Sequence, residues 1–155
     1  MWPELRDQVR VEQEQLRHLF EMHRSLLDQC RAEEPDPIQL SALGAFLHSF
    51  YTGTENLFRR VAVELGDDLP RGDNWHQRLL QEMAKGTENR SAVISDDLLD
   101  RLKPYLQFRH VFRQAYSFQL HWPKMAPLVQ HCEEILEQLQ RELTAFVLRM
   151  DASQG

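Results

Sequence analysis

The spacing of the apolar residues restricts what this chain can fold into more than any other feature. Between residues 3 and 32, apolar side chains and one histidine recur mostly at intervals of three and four positions; these are Val11, Leu16, Leu19, Phe20, His23, Leu26 and Leu27. Such intervals place side chains on one face of an α-helix, whereas a half-buried strand requires strict alternation. Similar spacing continues along most of the chain, and no alternating run is long enough for a sheet. The sequence therefore predicts an all-α fold.

Segments rich in proline and glycine divide this pattern into five predicted helices. Proline cannot continue a helix, so residues 33–37, which contain two prolines, end the first one. Residues 66–73 form a loop by composition, after which Asp73 or Asn74 can cap a short third helix, and Ser95 marks the start of the fourth. The predicted helices span residues 3–32, about 37–65, 75–84, about 96–117 and about 123–150. Five helices joined by short loops are typical of an antiparallel bundle.

Length and composition exclude several classes of protein. A chain of 155 residues is the size of one domain, so residues 1–155 are expected to form a single domain. Its net charge of −6 argues against a non-specific nucleic-acid coat protein. Cys30 and Cys132 are too few for a disulfide framework, and no zinc-type spacing is present. Because the sequence shows no signal peptide and no apolar run near ~20 residues, we expect a cytoplasmic protein without a membrane contact, metal or cofactor.

Residues 101–132 contain no aspartate or glutamate, although the chain has 24 acidic residues in all. This acid-free segment carries a charge of +5, so the rest of the chain carries −11. Its positive residues are Arg101, Lys103, Arg109, Arg113 and Lys124. A basic segment in an acidic protein indicates that an anion binds there, and a local RNA site is compatible with this composition.

The centre of the acid-free segment lies on the fourth predicted helix and places several polar side chains on one strip. Steps of four and three residues put Arg109, Arg113 and Tyr116 on a single face. His110 and Gln114 share the adjacent face. The apolar residues between them point toward the core; these are Phe108, Phe112 and Ala115.

Two interpretations of Arg109 and Arg113 are open from spacing alone. The arginines can form ion pairs with acids of other helices, which are plentiful in this chain. Alternatively, they hold an anion between them, because like charges four residues apart destabilise a bare helix and guanidinium groups make forked contacts with phosphate.

The series Arg109, four further residues, Gln114, Ala115 and Tyr116 resembles the motif of HepT-like toxins in the HEPN superfamily. That motif is an arginine, four to six residues, a histidine, one residue and a tyrosine. The resemblance to one HepT-like subgroup covers roughly residues 40–130 and is carried by residues 50–55, 69–70, 75–80, 93–95 and 105–110. It implies a HEPN helical bundle and a place in a prokaryotic toxin–antitoxin pair.

The resemblance further implies a metal-independent ribonuclease that acts as a homodimer, with RNA as substrate and tRNA as the expected target. The motif arginine, here Arg109, would stabilise the phosphate charge as the 2′-hydroxyl attacks, and His110 and Arg113 would bind the RNA. Such toxins are typically encoded beside a nucleotidyltransferase antitoxin. In some pairs this antitoxin transfers AMP to the motif tyrosine, here Tyr116, where the added negative charge would block an incoming phosphate.

The chain departs from the family motif at Gln114, which occupies the position of the histidine. A glutamine side chain can hydrogen-bond a phosphate or ribose oxygen, but it does not shuttle protons. Loss of positioned acid–base catalysis lowers a rate about 10²- to 10⁴-fold. Three explanations are open: an inactivated or weakened toxin, a proton carrier elsewhere (His110 or a group of the second protomer), and a non-catalytic module that binds RNA or the nucleotidyltransferase.

Glu55 lies among polar residues in the second predicted helix, and two roles are open for it. It can orient an arginine of the basic strip, or it can be an exposed or interface carboxylate. Trp75 and His76 open the third predicted helix, where a structural role is favoured, with Trp75 as a packing anchor.

Overall fold

The computed structural model describes residues 2–114, 116 and 119–154, and within these ranges the side chains of residues 3–153. Its helices are α1 (Trp2–Met22), α2 (Arg24–Ala32), α3 (Pro37–Glu64), α4 (Trp75–Met83), α5 (Asp96–Gln114) and α6 (Trp122–Gln154). The β pairing found over these residues is one isolated bridge between Thr87 and Arg90. The all-α prediction is confirmed. Within the same ranges, no helix has the length and apolarity needed to cross a bilayer.

His23 interrupts the first predicted helix and separates α1 from α2. The imidazole Nδ1 of His23 lies 2.8 Å from the carbonyl oxygen of Leu19, which is the acceptor that the His23 N–H would use in an α-helix. The His23 N–H instead donates to the carbonyl of Phe20 at 3.2 Å. The side chain thus displaces one hydrogen bond of the helix, and the chain forms six described helices where the spacing predicted five.

Helix α3 contacts each of the other five helices and forms the centre of the bundle. Its first turn is fixed by Asp36, whose carboxylate accepts a hydrogen bond from the Gln39 N–H at 2.7 Å. The Asp36 N–H donates in turn to the Gln39 side chain at 3.0 Å, which completes a capping box. The buried face of α3 is apolar and includes Leu43, Phe46, Leu47, Phe50, Leu57, Phe58 and Val61.

Some apolar residues of the helices do not join this core, and two valines show why. Val11 in α1 and Val63 in α3 keep 46% and 59% of their surface exposed. Each lies two positions after a buried valine, Val9 and Val61 respectively. Two positions correspond to about 200° around a helix, so a side chain there faces solvent when its neighbour faces the core.

The two residues predicted to cap α4 and α5 differ in whether they form a capping hydrogen bond. Helix α4 begins directly after Asn74, as predicted, but no side-chain hydrogen bond from Asn74 caps it. For α5, the Ser95 hydroxyl oxygen accepts a hydrogen bond from the Leu98 N–H at 3.1 Å, as a capping residue should. Glu142 of α6 accepts hydrogen bonds from the N–H and the hydroxyl of Ser95 and ties this turn to the bundle.

Helix α5 ends at Gln114, whereas the sequence predicted that it continues to residue 117. Beyond it, Tyr116 and Gln119 form two hydrogen bonds with each other. The Tyr116 N–H donates to Gln119 Oε1 at 3.0 Å, and the Tyr116 carbonyl accepts from the Gln119 N–H at 2.9 Å. These bonds hold Tyr116 in a turn that leads to α6, so its side chain does not continue the helical strip.

Helices α3 and α5 pack closely against each other near the C-terminal end of α5. A Cβ atom at Gly44 would lie 2.7 Å from Cε1 of Phe112, so only glycine permits this approach with the ring where it is. Phe112 also packs against His48 and Phe108, with ring centroids 5.5 and 5.8 Å away. Both phenylalanines lie partly buried against the core. Ala115, which was predicted to join them, lies outside the described residues.

Candidate functional site

A groove of about 450 Å³ lies between the start of α4 and the second half of α5. Its volume falls in the range of small-ligand pockets. The lining residues are mostly polar and comprise Asp73, Asn74, His76, Gln77, Leu106, Gln107, Arg109, His110, Val111 and Arg113. The groove thus gathers three residues of the predicted polar strip, Arg109, His110 and Arg113.

Arg109 is half-buried, and a residue of α3 holds its side chain in place. Its Nε–H donates to the hydroxyl oxygen of Thr52 at 3.1 Å. In the part of the chain that the structure describes, neither Arg109 nor Arg113 forms an ion pair with a carboxylate. Of the two interpretations open from spacing, the structure therefore favours an anion in the groove over ion pairs with neighbouring helices.

Two other cations of the acid-free segment are neutralised. Arg101 donates to Glu134 at 3.1 Å and to Gln138 at 2.6 Å, both in α6. Lys103 lies 3.1 Å from the carboxylate of Asp100. The uncompensated positive charge of the segment is consequently concentrated at the groove, on Arg109 and Arg113, and on the exposed Lys124.

Glu55 contacts a histidine of the groove. Its Oε2 lies 2.7 Å from Nδ1 of His76, although the two residues come from different helices. Glu55 is buried, with 4% of its surface exposed, and the His76 side chain is 23% exposed. The hydrogen bond found for Glu55 in the described structure is therefore to an imidazole, where the sequence suggested an arginine.

Trp75 acts as the predicted packing anchor beside this histidine. The indole is partly buried against the core, and its ring centroid lies 3.6 Å from that of His76. The guanidinium of Arg59 lies over the ring of Trp75, 5.3 Å from its centroid. These contacts restrict the position of the first turn of α4 and of the imidazole that it carries.

Gln114 and Tyr116 do not line the groove. Gln114 is exposed at the last position of α5, about 100° around the helix from Arg113. Tyr116 lies in the turn beyond the helix, with 70% of its surface exposed. The prediction that a single helical strip presents all five polar residues is wrong, because the helix ends before Tyr116.

A model of the HepT-like protein family matches residues 42–150 of the chain. The chain belongs to the HepT-like protein family. The match covers more than half of the chain and contains every residue of the groove together with Glu55, Gln114 and Tyr116. It confirms the family predicted from the motif, and membership implies a toxin–antitoxin context. No curated protein and no solved structure matches the chain.

The charges of the groove act on residues of α3 in this HepT-like protein. Burial and the positive charges of Arg109 and Arg113 lower the pKa of His48 below its ordinary value. Burial and Glu55 raise the pKa of Tyr51, while the charge of Arg109 opposes this rise. The positive charges of Arg109 and Arg113 thus add to burial in disfavouring protonation of His48.

The chemistry available in the groove is anion binding next to imidazole groups. Two guanidinium groups can bind phosphate oxygens, and two histidines, His76 and His110, can exchange protons. Among the described residues, no group of three or more histidine, cysteine or acidic side chains is placed to hold a metal ion. The pairing of Glu55 with His76 could not be predicted from the sequence, because a contact between two helices has no characteristic local spacing.

Proposed function

We propose that this HepT-like protein is the toxin of a toxin–antitoxin pair and a metal-independent endoribonuclease, with tRNA as its expected substrate. The observation that carries the proposal is the environment of Arg109. Thr52 holds its guanidinium at the groove, and no carboxylate in the described part of the chain neutralises it. A phosphodiester in the groove would supply the missing negative charge.

In the proposed reaction, the 2′-hydroxyl of the RNA attacks the adjacent phosphorus, and negative charge accumulates on the phosphoryl oxygens. The N–H groups of Arg109 stabilise this charge more strongly in the transition state than in the substrate. Arg113 and His110, at the exposed side of the same groove, contact the RNA backbone.

Gln114 affects how active this chain is expected to be. It stands at the histidine position of the family motif and lies exposed at the end of α5. Its amide can hydrogen-bond the RNA but does not carry a proton during cleavage. We therefore propose a ribonuclease that Gln114 weakens or inactivates, and that Gln114→His strengthens.

The test is cleavage of total tRNA in EDTA, read on a denaturing gel. We expect Gln114→His to cleave faster than the natural chain, by up to about 10²- to 10⁴-fold, the usual contribution of positioned acid–base catalysis. Adding Arg109→Ala to this variant should reduce the rate about 10²- to 10³-fold, as loss of one transition-state donor does.

Lys103→Ala in the Gln114→His background is the matched control. It removes one positive charge from the same helix but outside the groove, where Asp100 already neutralises it. Its cleavage rate should equal that of Gln114→His. If no variant cleaves, or if Lys103→Ala is as damaging as Arg109→Ala, the ribonuclease proposal is wrong.

A second candidate function is a non-catalytic HEPN module that binds RNA or the nucleotidyltransferase. The observation in its favour is Gln114 at the position where the family has a proton-carrying histidine. This module would bind RNA or the nucleotidyltransferase with unchanged affinity in Gln114→His and would cleave RNA in neither form.

We also propose that the nucleotidyltransferase antitoxin controls the toxin by transferring AMP to Tyr116. The 70% exposure of Tyr116 and its position two residues beyond α5 support this, because an enzyme can reach the phenol. Incubation of the pair with ATP should give an adduct on Tyr116 by mass spectrometry and none on Tyr116→Phe. An adduct on another residue, or none, would contradict this control.

The proposal includes a homodimer in which the two groove regions face each other. The exposed apolar surface of Val111, 56% exposed on the same helix as the arginines, supports a contact there. Sedimentation equilibrium should give a mass of twice that of one chain at micromolar concentration, and a stable monomer would contradict this element of the proposal.

A further inference from the structure

The groove contains a carboxylate–imidazole pair that the family motif does not include. Glu55 Oε2 and His76 Nδ1 lie 2.7 Å apart. An ionised carboxylate only accepts hydrogen bonds, so Nδ1 carries a proton and this N–H donates a hydrogen bond to Glu55. In the neutral form of the ring, the other nitrogen, Nε2, bears the lone pair, and among the described residues it has no hydrogen-bond partner.

One turn of α3 positions both this imidazole and the arginine of the site. Thr52 accepts a hydrogen bond from Arg109, and Glu55, three residues later, accepts one from His76. Residues three apart lie on the same face of a helix. Helix α3 therefore fixes an anion-binding group and a proton-accepting group relative to each other, and both side chains line the same groove.

We infer that His76 is the proton carrier of RNA cleavage in this protein, with Glu55 as the residue that positions it. The inference rests on the proposed ribonuclease function and adds the group that Gln114 cannot supply. It makes His76 a catalytic residue and leaves Gln114 as a hydrogen-bonding one, so that of the two effects proposed for Gln114 it requires weakened cleavage and not inactivation.

The step balances as a transesterification. Nε2 of His76 takes the proton of the 2′-hydroxyl while the bond between the 2′-oxygen and phosphorus forms. The bond from phosphorus to the 5′-oxygen breaks, its electron pair stays on that oxygen, and the oxygen takes a proton from water. The imidazolium then returns its proton to the solvent, and the net change is transfer of one proton from the 2′- to the 5′-oxygen.

His110 is the competing candidate, since it lines the same groove. It is exposed and has no hydrogen-bond partner among the described residues, so nothing there fixes its tautomer or ring orientation. His76 is less exposed, stacks on Trp75 and is held by a buried carboxylate. A preorganised group contributes more to catalysis than a mobile one, which favours His76.

The experiment compares tRNA cleavage in EDTA by the unsubstituted chain, His76→Ala, His110→Ala and Glu55→Gln, with Gln114→His as reference. We expect the natural chain to cleave, His76→Ala to lose about 10²- to 10⁴-fold in kcat with little change in KM, and His110→Ala to retain kcat within a few-fold. Glu55→Gln should lower kcat less than His76→Ala does, because the imidazole remains.

Chemical rescue separates a proton carrier from a structural histidine. Added imidazole should restore cleavage by His76→Ala in proportion to its concentration and should not change His110→Ala. A purely structural role for His76 predicts no rescue. Circular dichroism and thermal unfolding identify a variant that fails to fold. If His76→Ala does not fold, rescue is not expected, and the effect of Glu55→Gln on kcat alone decides the role of His76.

The outcomes distinguish this inference from the proposed function. If the natural chain is inactive and Gln114→His cleaves, the ribonuclease proposal stands and the role of His76 is refuted. If His76→Ala matches the natural chain, or if His110→Ala is the variant rescued by imidazole, the role of His76 is likewise refuted. If neither the natural chain nor Gln114→His cleaves, the ribonuclease function itself is wrong.

Discussion

At the scale of single residues, the important groups of the groove are joined by contacts between helices. Arg109 in α5 meets Thr52 in α3, and His76 in α4 meets Glu55 in α3. Sequence spacing identified Arg109 and Glu55 as polar residues with a possible role, because each can be assigned to a helix face. It could not identify their partners, since those lie on other helices and the packing that brings them together is not a local property.

His48 can report on anion binding at the arginines. Its pKa is lowered by burial and by the charges of Arg109 and Arg113. RNA bound to these arginines brings negative charge that offsets their effect, so the pKa of His48 should rise toward its ordinary value on binding. An NMR pH titration of the His48 ring, with and without an RNA oligonucleotide made uncleavable by 2′-O-methyl groups, measures this change.

The double variant Arg109→Gln/Arg113→Gln provides the control for His48. Without the two charges, the pKa of His48 should lie closer to its ordinary value in the absence of RNA, and the oligonucleotide should no longer move it. An unchanged pKa in the natural protein saturated with the oligonucleotide would show that RNA binds elsewhere.

At the scale of helices, local capping signals predicted starts better than ends. Ser95 was recognisable because a cap needs a particular residue type within three positions of its acceptor or donor. The prolines of residues 33–37 placed the start of α3, but the cap at Asp36 was not predicted. The interruption at His23 and the end of α5 at Gln114 were missed. Both depend on side chains, of His23 and Gln119, that compete for backbone hydrogen bonds, and the apolar spacing contains no trace of that competition.

Two N-terminal capping positions give a matched prediction about stability. Asp36→Ala removes a capping box and should lower the free energy of unfolding by about 1 kcal/mol, within the usual range for a lost cap. Asn74→Ala should have an effect near zero, because the Asn74 side chain makes no capping bond. Urea unfolding followed by circular dichroism gives both values, and equal losses would contradict the different roles assigned to the two positions.

At the scale of the whole molecule, the fold places acidic residues next to some of the positive charges of the acid-free segment. The acid-free segment predicted a basic surface, but Arg101 and Lys103 are neutralised by Glu134 and Asp100, which lie just outside the segment. The net charge of residues 101–132 does not include these two acids. Asp100 precedes the segment in α5, and the packing of α6 on α5 brings Glu134 next to Arg101. What remains is a smaller positive surface, made of Arg109 and Arg113 at the groove and the exposed Lys124 near the start of α6.

This smaller surface predicts how RNA binding depends on salt. If Arg109, Arg113 and Lys124 each neutralise one phosphate of single-stranded RNA, log K should fall against log salt concentration with a slope of about −2. Arg109→Gln/Arg113→Gln should reduce the slope to about −0.7, because one phosphate contact remains. Lys103→Gln, which removes a neutralised charge, should leave the slope unchanged.

Fluorescence anisotropy at several salt concentrations with an uncleavable oligonucleotide measures these slopes. A slope that Lys103→Gln reduces as much as an arginine variant would mean that the whole acid-free segment binds RNA, and that the groove is not the site.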